Sequence, residues 1–502
     1  MNEKVTKLED KQLRDKIGNA VKWSSVTEII AKLITPISHM ILARFLAPEA
    51  FGVVATVTMI ISFIEMFTDA GFQKYLVQYD FKNNMEKAQS ANVAFITNLV
   101  ISLFLWIFII FLRNSIAAAV GNSGLGSVIA IACIQLPLTS FSSIQMALYR
   151  RDFSFKTLFW VRMIRAILPL FITIPLAMAG LSYWALIVGT ICGEISNGLI
   201  LTIKSKWKPS LFYSFSLLKN MFSFSIWTLL ESISIWLTLW FDIFIIGNSF
   251  SQYYLGLYKN SLNMVNALMA VVSSAIIPIL FSSLSRLQKN DTAYKKLYYT
   301  AQRLSAYLIF PMGLGLFLYS DLATSLMFGS KWSEASNIVG IWSLMAAIGI
   351  VFSNFNGEVY RSKGKPKLSF IYQMIHLCFL IPSCIISKRY GFWALVYTRS
   401  LMRIQGTLVG FIFMKIFMGF SLKNMLGNII KPTICTLLMG TVAFLLKQIS
   451  RSIIWSFISI FICIIVYGIS LLLIARDDIS YMTKFLKVDK KVKTGKSTEF
   501  YE

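Results

Sequence analysis

Two arginines, Arg162 and Arg165, lie one helical turn apart inside an apolar run long enough to span a membrane. Arg399 and Arg403 repeat this arrangement in a second apolar run. A charged side chain at the bilayer centre costs about 2.5–3.5 kcal/mol on insertion scales, so it usually faces a wet cavity and has a function. Because the planar guanidinium group binds two phosphate oxygens at once, these residues predict a phosphate-binding site at membrane depth.

Further polar groups follow one face of an earlier apolar run, residues 18–43. Lys22, Lys32 and His39 share this face at about 100° per residue. The alternative is that Lys32 pairs with Glu28 inside the helix, which is favourable at this spacing. That pairing leaves Lys22 and His39 unexplained, so we predict a face that lines a cavity.

Two residues near position 260 suit sugar hydroxyls, since Lys259 and Asn263 both carry hydrogen-bond donors. They would serve equally well in hydrogen bonds between helices. The arginines have a similar alternative, which is ion pairing with carboxylates on other helices. The candidate acids are Glu65, Asp69, Glu194, Glu231 and Asp242. Pairing and ligand binding are compatible, because a resting site can hold its cations against acids until an anion arrives.

Three of these acids have a second predicted role. Glu194, Glu231 and Asp242 are the best placed to carry a coupling ion, H+ or Na+, across the membrane. Enzyme motifs are missing from the sequence, which contains no His-Glu-x-x-His. We therefore expect no catalytic residue, no metal and no cofactor, and we expect a transporter rather than an enzyme.

The composition indicates the protein class. Hydrophobic residues make up 56% of the 502 residues, and only 14% are charged. The chain divides into about fourteen apolar stretches, each near the length that one helix needs to cross the hydrocarbon core. The six cysteines all lie within these stretches and are expected to be core residues. The prediction is an all-α polytopic membrane protein.

The net charge of +25 is distributed unevenly between the two sides of the predicted membrane. Most lysines and arginines fall in alternate connecting segments. This is the positive-inside bias, and it predicts that both termini are cytoplasmic. It also argues against nucleic acid as a partner. The external segments hold few cations: Arg44, Arg113, Lys331, Lys388, Arg389, Lys447 and Arg451.

An internal repeat divides the chain. Three similarities recur in order, and they pair residues 40–52 with 244–256, residues 149–155 with 360–370, and residues 183–187 with 392–396. They predict two parallel six-helix repeats around a central cavity. The predicted segments are an N-terminus (1–17), an N-lobe (18–204), a linker (205–220), a C-lobe (221–417), two extra spans (418–475) and a basic tail (476–502). Glu194 then corresponds to Arg403, which predicts that the anion lies off the pseudo-symmetry axis.

Several stretches resemble a known family: LARFLAPEAFG (42–52), FTDAGF (67–72), LYRRDFSF (148–155), IPILFSSLSRLQ (277–288) and MFGSKW (327–332). The chain resembles the polysaccharide transporter branch, the Wzx-type flippases, of the multidrug/oligosaccharidyl-lipid/polysaccharide exporter superfamily. The resemblance implies translocation of polyprenyl-pyrophosphate-linked oligosaccharides across the bacterial inner membrane for O-antigen, capsule or exopolysaccharide. Further predicted partners are membrane lipids, which the basic tail can contact, H+ or Na+ at the acids named above, and the polysaccharide polymerase machinery.

Other functions remain open on the sequence alone. A flippase for the peptidoglycan precursor would handle the same pyrophosphate group. A cation-coupled drug exporter of the same superfamily would favour an acidic cavity, whereas the charges within these spans are largely basic. A membrane sugar polymerase would need a long external loop, which the sequence lacks.

Overall fold

The computed structural model describes residues 23, 30, 34, 36–69, 71–365, 367–450 and 452–478. All regular structure in these residues is helical, and no strand occurs among them. The α-helices are α1 (described over residues 36–45), α2 (Pro48–Asp69), α3 (Phe72–Gln78), α4 (Asn84–Ala119), α5 (Gly126–Ala132), α6 (Gln135–Arg151), α7 (Phe155–Met178), α8 (Tyr183–Lys204), α9 (Phe215–Ser249), α10 (Gln252–Arg286), α11 (Asp291–Leu318), α12 (Ser320–Phe328), α13 (Ala335–Ser353), α14 (Asn356–Ser362), α15 (Lys367–Ser387), α16 (Phe392–Met418), α17 (Leu422–Gly427), α18 (Ile430–Ile449) and α19 (Ile453–Ile474).

Twelve helical segments within the described residues are long and apolar enough to cross a membrane. Backbone groups inside a bilayer must pair within the chain, which a helix achieves along its whole length. The prediction of an all-α membrane protein with many spans is confirmed. The two remaining predicted spans fall on α1, whose first part lies outside the described residues, and on the 35-residue helix α10. The count of fourteen spans stays a prediction.

The chain forms two compact units by its internal contacts. The first unit contains the described residues up to Ala267, Met327–Ala335 and Gln373–Arg399. Its core includes Phe72, Leu76 and Ile144, which are fully buried. The predicted division into an N-lobe and a C-lobe at residues 205–220 stays a prediction.

The second unit contains Leu268–Leu326, Ser336–Tyr372 and the described residues from Ser400 onward. Here α18 and α19 pack against each other, and α18 packs along α11. One buried cluster joins Leu322 to Met439 and Cys463. The two helices that lie outside the predicted repeat are therefore an integral part of this unit.

Residues that the predicted repeat makes equivalent touch one another in the first unit, at the start of α2 and of α10. A Cβ atom added to Gly52 would lie 2.0 Å from the carbonyl oxygen of Gln252. One added to Gly256 would lie 1.8 Å from the carbonyl oxygen of Pro48. The predicted repeat pairs residues 40–52 with 244–256, so Pro48 corresponds to Gln252 and Gly52 to Gly256, and the contact is reciprocal. This close approach of two backbones requires glycine on both sides.

Candidate functional site: a polar cavity beside an arginine–glutamate pair

A polar cavity of about 400 Å³ lies inside the first unit. Helices α2, α3, α4, α6, α7, α8 and α9 each contribute to its wall. The polar side chains that line it are Ser62, Glu65, Thr68, Gln73, Lys74, Asn98, Thr139, Ser142, Ser143, Arg165, Glu194 and Ser232. Hydroxyl and amide groups thus surround one guanidinium, one ammonium and two carboxyl groups. Such a surface suits a polar ligand or water rather than an acyl chain.

Arg165 and Glu194 form an ion pair at this cavity. The Nη2 atom of Arg165 donates to Oε1 of Glu194. The side chain of Glu194 is only 4% exposed, whereas that of Arg165 is 45% exposed. The second carboxylate oxygen, Oε2, is buried and has no hydrogen-bond partner among the described residues. A buried acceptor without a donor is unfavourable, so this oxygen has capacity for a proton, a cation or a water molecule.

Close packing of α7 against α8 creates the pair. A Cβ atom on Gly189 would lie 2.0 Å from Oγ1 of Thr173, and one on Gly193 would lie 3.0 Å from Cγ of Pro169. Small residues four apart let two membrane helices approach closely. Pro169 has no N–H, so it leaves the carbonyl group of Arg165 without its usual helical donor. The two glycines bring Glu194 against the turn of α7 that carries Arg165.

A second charge pair in the first unit is enclosed on all sides. Nε of Arg399 donates to Oδ2 of Asp242 at 2.7 Å, and its Nη2 donates to the carbonyl oxygen of Thr238 at 3.1 Å. The hydroxyl of Tyr258 donates to the same Oδ2 at 2.7 Å. The backbone N–H of Ile243 donates to Oδ1 at 2.8 Å. Arg399 is 6% exposed and Asp242 is 1% exposed. Burial without these bonds would be prohibitive, so each charge depends on the other.

A family model described as polysaccharide biosynthesis protein matches residues 41–337, which is more than half of the chain. The chain belongs to this family. The match includes Arg165, Glu194 and Asp242, and it ends before Arg399.

Named relatives agree with the family assignment. The succinoglycan biosynthesis transport protein ExoT of Rhizobium meliloti (strain 1021) is 23% identical over 329 residues, or 65% of this chain. The chain spans 66% of ExoT, just under two thirds. The lipopolysaccharide biosynthesis protein WzxC of Escherichia coli (strain K12) is 19% identical over 84% of this chain and 85% of its own length. These relatives confirm the predicted branch of the superfamily and the expectation of a transporter.

A solved structure shows the same fold. The lipid II flippase MurJ in an inward closed conformation aligns with a TM-score of 0.77 over 91% of this chain and 100% of that protein. The sequence identity is 16%, so the likeness concerns the fold alone. It confirms the predicted all-helical membrane fold.

The structure places other predicted site residues away from the cavity wall. Nδ1 of His39 and Oδ1 of Asn260 lie 3.0 Å apart. Nζ of Lys259 lies 4.0 Å from the centre of the Trp240 ring. Asn263 is half-buried on α10. His39 thus lies on α1, and Lys259 and Asn263 lie on α10. None of these three predicted ligands lines the cavity.

Two more of the predicted site residues, Arg162 and Arg403, also lie away from the cavity wall, and others fall outside the described part of the chain. Arg162 is exposed on α7. In the second unit, the guanidinium of Arg403 lies 4.7 Å from the centre of the Trp342 ring. Lys22, Lys32 and the side chains of Asp69 and Glu231 lie outside the described part of the chain. Among the residues that were described, no cluster of three metal-binding side chains occurs.

Sequence reasoning missed the hydroxyl-rich wall of the cavity. Thr139, Ser142 and Ser143 follow helical spacing on α6. Asn98 of α4 donates to Oγ of Ser143 at 3.0 Å. A polar stripe with this spacing inside an apolar run was a usable signal, because such residues rarely face lipid.

Proposed function

We propose that this protein is a flippase for polyprenyl-pyrophosphate-linked oligosaccharides in the bacterial inner membrane, serving surface polysaccharide biosynthesis. The main support is the position of Arg165, whose half-exposed guanidinium group lies on the wall of a cavity rich in hydroxyl and amide groups. An arginine fits the pyrophosphate, and the hydroxyl and amide groups fit sugar hydroxyls. The names of the relatives ExoT and WzxC support the same substrate class.

Arg165 exchanges its partner during the proposed cycle. In the resting pair, the carboxylate of Glu194 neutralises the guanidinium group. A pyrophosphate that reaches the cavity competes with Glu194 for Arg165. A proton or cation that binds Oε2 of Glu194 then neutralises the charge of the released carboxylate. Ion coupling at Glu194 follows from this exchange. The buried pair of Arg399 and Asp242 is the second place where the same exchange can occur, once the pair becomes accessible. Glu231 stays in this proposal as a third candidate acid.

Alternating access needs a contact that closes one end of the pathway. The positive-inside bias supports an external position for the start of α2 and of α10. The reciprocal contact of Gly52 and Gly256 would close that side, so we assign the described state to an externally closed form. Two further contacts join helix ends in the same region. Nε1 of Trp332 donates to the carbonyl oxygen of Ala43 at 3.0 Å, and Nδ2 of Asn248 donates to that of Ala119 at 2.9 Å.

The function is tested in cells that depend on this protein for their surface polymer. Arg165→Ala should abolish polymer export and cause lipid-linked oligosaccharide to accumulate on the cytoplasmic face, with normal protein levels in the membrane. Arg165→Lys should restore little, because an ammonium group cannot make the forked phosphate contact. Arg113→Ala, an exposed arginine on α4, is the matched control.

Three outcomes decide between the functions. Normal export by Arg165→Ala would overturn the assignment of the cavity. Equal rescue by lysine would show that only positive charge matters there. Accumulation of the peptidoglycan precursor in place of the oligosaccharide would assign the protein to the other flippase class.

A further inference from the structure

A second polar cavity, the interfacial pocket, lies in the second unit and shares no lining residue with the first cavity. It has a volume of about 690 Å³. One wall is the first four turns of α11, which carry Lys295, Lys296 and Arg303. The other wall is the connection from α16 through α17, with Ser421, Asn424 and Asn428. Cations on one wall face hydroxyl and amide groups on the other.

Positive charge exceeds negative charge around this pocket. The carboxylate of Asp291 forms ion pairs with two lysines, at 2.7 Å from Nζ of Lys363 and 3.9 Å from Nζ of Lys295. Arg303 pairs with Asp478 at 3.0 Å. Lys296 is exposed, and no carboxylate of the described residues pairs with it. Four cations thus stand against two carboxylates, and the excess favours an anionic ligand.

Arg303 also keeps an unused donor. Its Nε atom is buried and has no hydrogen-bond partner among the residues that the structure describes. Since a guanidinium group has five N–H donors, its bond to Asp478 leaves others available. A buried donor beside an excess of positive charge is what a bound anion would satisfy.

The pocket walls are held in place by aromatic packing. Phe420 is 2% exposed, and its ring centre lies 4.9 Å from that of Tyr298 and 5.7 Å from that of Tyr299. Nδ2 of Asn428 donates to the carbonyl oxygen of Tyr299 at 2.5 Å. The pocket therefore exists before a ligand arrives, which lowers the entropy cost of binding.

The position of the interfacial pocket at the start of two spans indicates which kind of anion fits it. Two candidate membrane spans begin at the pocket, one at Asp291 and the other at Leu422. The pocket thus lies where the helices enter the hydrocarbon region. Leu426 and Ile430, at the end of α17 and the start of α18, are 49% and 54% exposed and offer an apolar surface beside the charges. A headgroup phosphate with attached acyl chains matches this combination of polar pocket and apolar flank.

We propose that the interfacial pocket binds the phosphate group of an anionic phospholipid headgroup. Lys295, Lys296 and Arg303 contact the phosphate oxygens, and Asn424 and Ser421 contact the glycerol part of the headgroup. The acyl chains lie along α18. This site is independent of the transported substrate, and it gives the segment outside the repeat a specific ligand.

The test uses the full-length protein in lipid nanodiscs that contain phosphatidylcholine and phosphatidylglycerol. Native mass spectrometry measures the lipid that stays bound. The wild type should retain phosphatidylglycerol in preference to phosphatidylcholine, and Lys295→Gln/Lys296→Gln should weaken that retention about tenfold. Lys204→Gln/Lys206→Gln, which removes one exposed cation at the end of α8 and one just beyond it, is the matched control and should behave as the wild type.

Two results would overturn the proposal. Equal retention of phosphatidylglycerol by the pocket variant and the wild type would exclude the site. Thermal stabilisation of the detergent-purified protein by inorganic phosphate, lost in the same variant, would assign the pocket to a soluble phosphate compound instead. Lys296→Gln alone, at an exposed position, provides the same comparison if the double variant does not fold.

Discussion

Glu194 is buried while its partner Arg165 keeps 45% of its side chain exposed, so the two ends of this ion pair meet different surroundings. The arginine can reach an incoming anion without moving the carboxylate into water. The carboxylate can accept a proton or cation without leaving the helix interface. This asymmetry separates the substrate side from the ion side of the proposed exchange.

Glu194→Gln should therefore uncouple transport from the proton gradient. The amide can still accept a hydrogen bond from Arg165, but it cannot bind a proton at neutral pH. Reconstituted protein should move lipid-linked oligosaccharide at a rate that no longer changes with an imposed pH gradient. Glu334→Gln, at an exposed position, is the control. An unchanged gradient response of Glu194→Gln would place coupling elsewhere.

The buried pair should differ from the cavity pair in its effect on stability. Asp242→Ala leaves the charge of Arg399 buried without its carboxylate, and breaking a buried pair in this way costs about 3–5 kcal/mol. The protein should melt at a lower temperature and reach the membrane in smaller amounts. Arg165→Ala should lower the melting temperature less, because Glu194 lines the polar cavity, where water can replace the lost donor.

The double variant Asp242→Asn/Arg399→Gln separates stability from transport. It removes both charges and should recover much of the stability that Asp242→Ala loses. If it also exports polymer normally, the pair serves only to hold α9 and α16 in place. If it is stable but inactive, the pair takes part in the transport cycle. Equal melting temperatures for Asp242→Ala and the wild type would contradict the burial argument.

Much of the cavity pair could be predicted from the sequence. A charge inside an apolar span is visible without a structure, and Arg165 and Glu194 were both predicted to be functional on that ground. Ion pairing with an acid on another helix was one of the two predictions for the arginines, but the acid that meets Arg165 was not predictable, because it depends on how closely α7 and α8 pack. Gly189 and Gly193 set that distance, and a glycine in a membrane span does not reveal which partner it faces. The burial of Arg399 could not be predicted either, since it lies within an apolar span just as Arg165 does.

The helix packing behind the cavity pair gives a third prediction. Gly189→Ala places a Cβ atom 2.0 Å from the Thr173 hydroxyl, so α8 must move away from α7 or Thr173 must change rotamer. Because Glu194 lies on the same helix, export should fall toward the level of Arg165→Ala. Gly198→Ala is the control on the same helix, since its Cβ atom would meet its nearest neighbour at an ordinary 3.7 Å. A normal export rate for Gly189→Ala would show that the pair tolerates a wider helix spacing.

The reciprocal glycine contact gives the last prediction. A side chain at Gly52 or Gly256 meets the backbone of the opposite helix, and a backbone cannot move aside as a side chain can. Gly52→Val and Gly256→Val should each destabilise the proposed externally closed form by similar amounts, because the predicted repeat makes the two sites equivalent. The protein should lose export and show faster external labelling of a cysteine introduced at Ser62 on the cavity wall. Gly468→Ala, where an added Cβ atom would meet nothing within 4 Å, should leave labelling and export unchanged. Strong loss of export in one valine variant and normal export in the other would contradict a symmetric closure, because a reciprocal contact cannot open from one side alone.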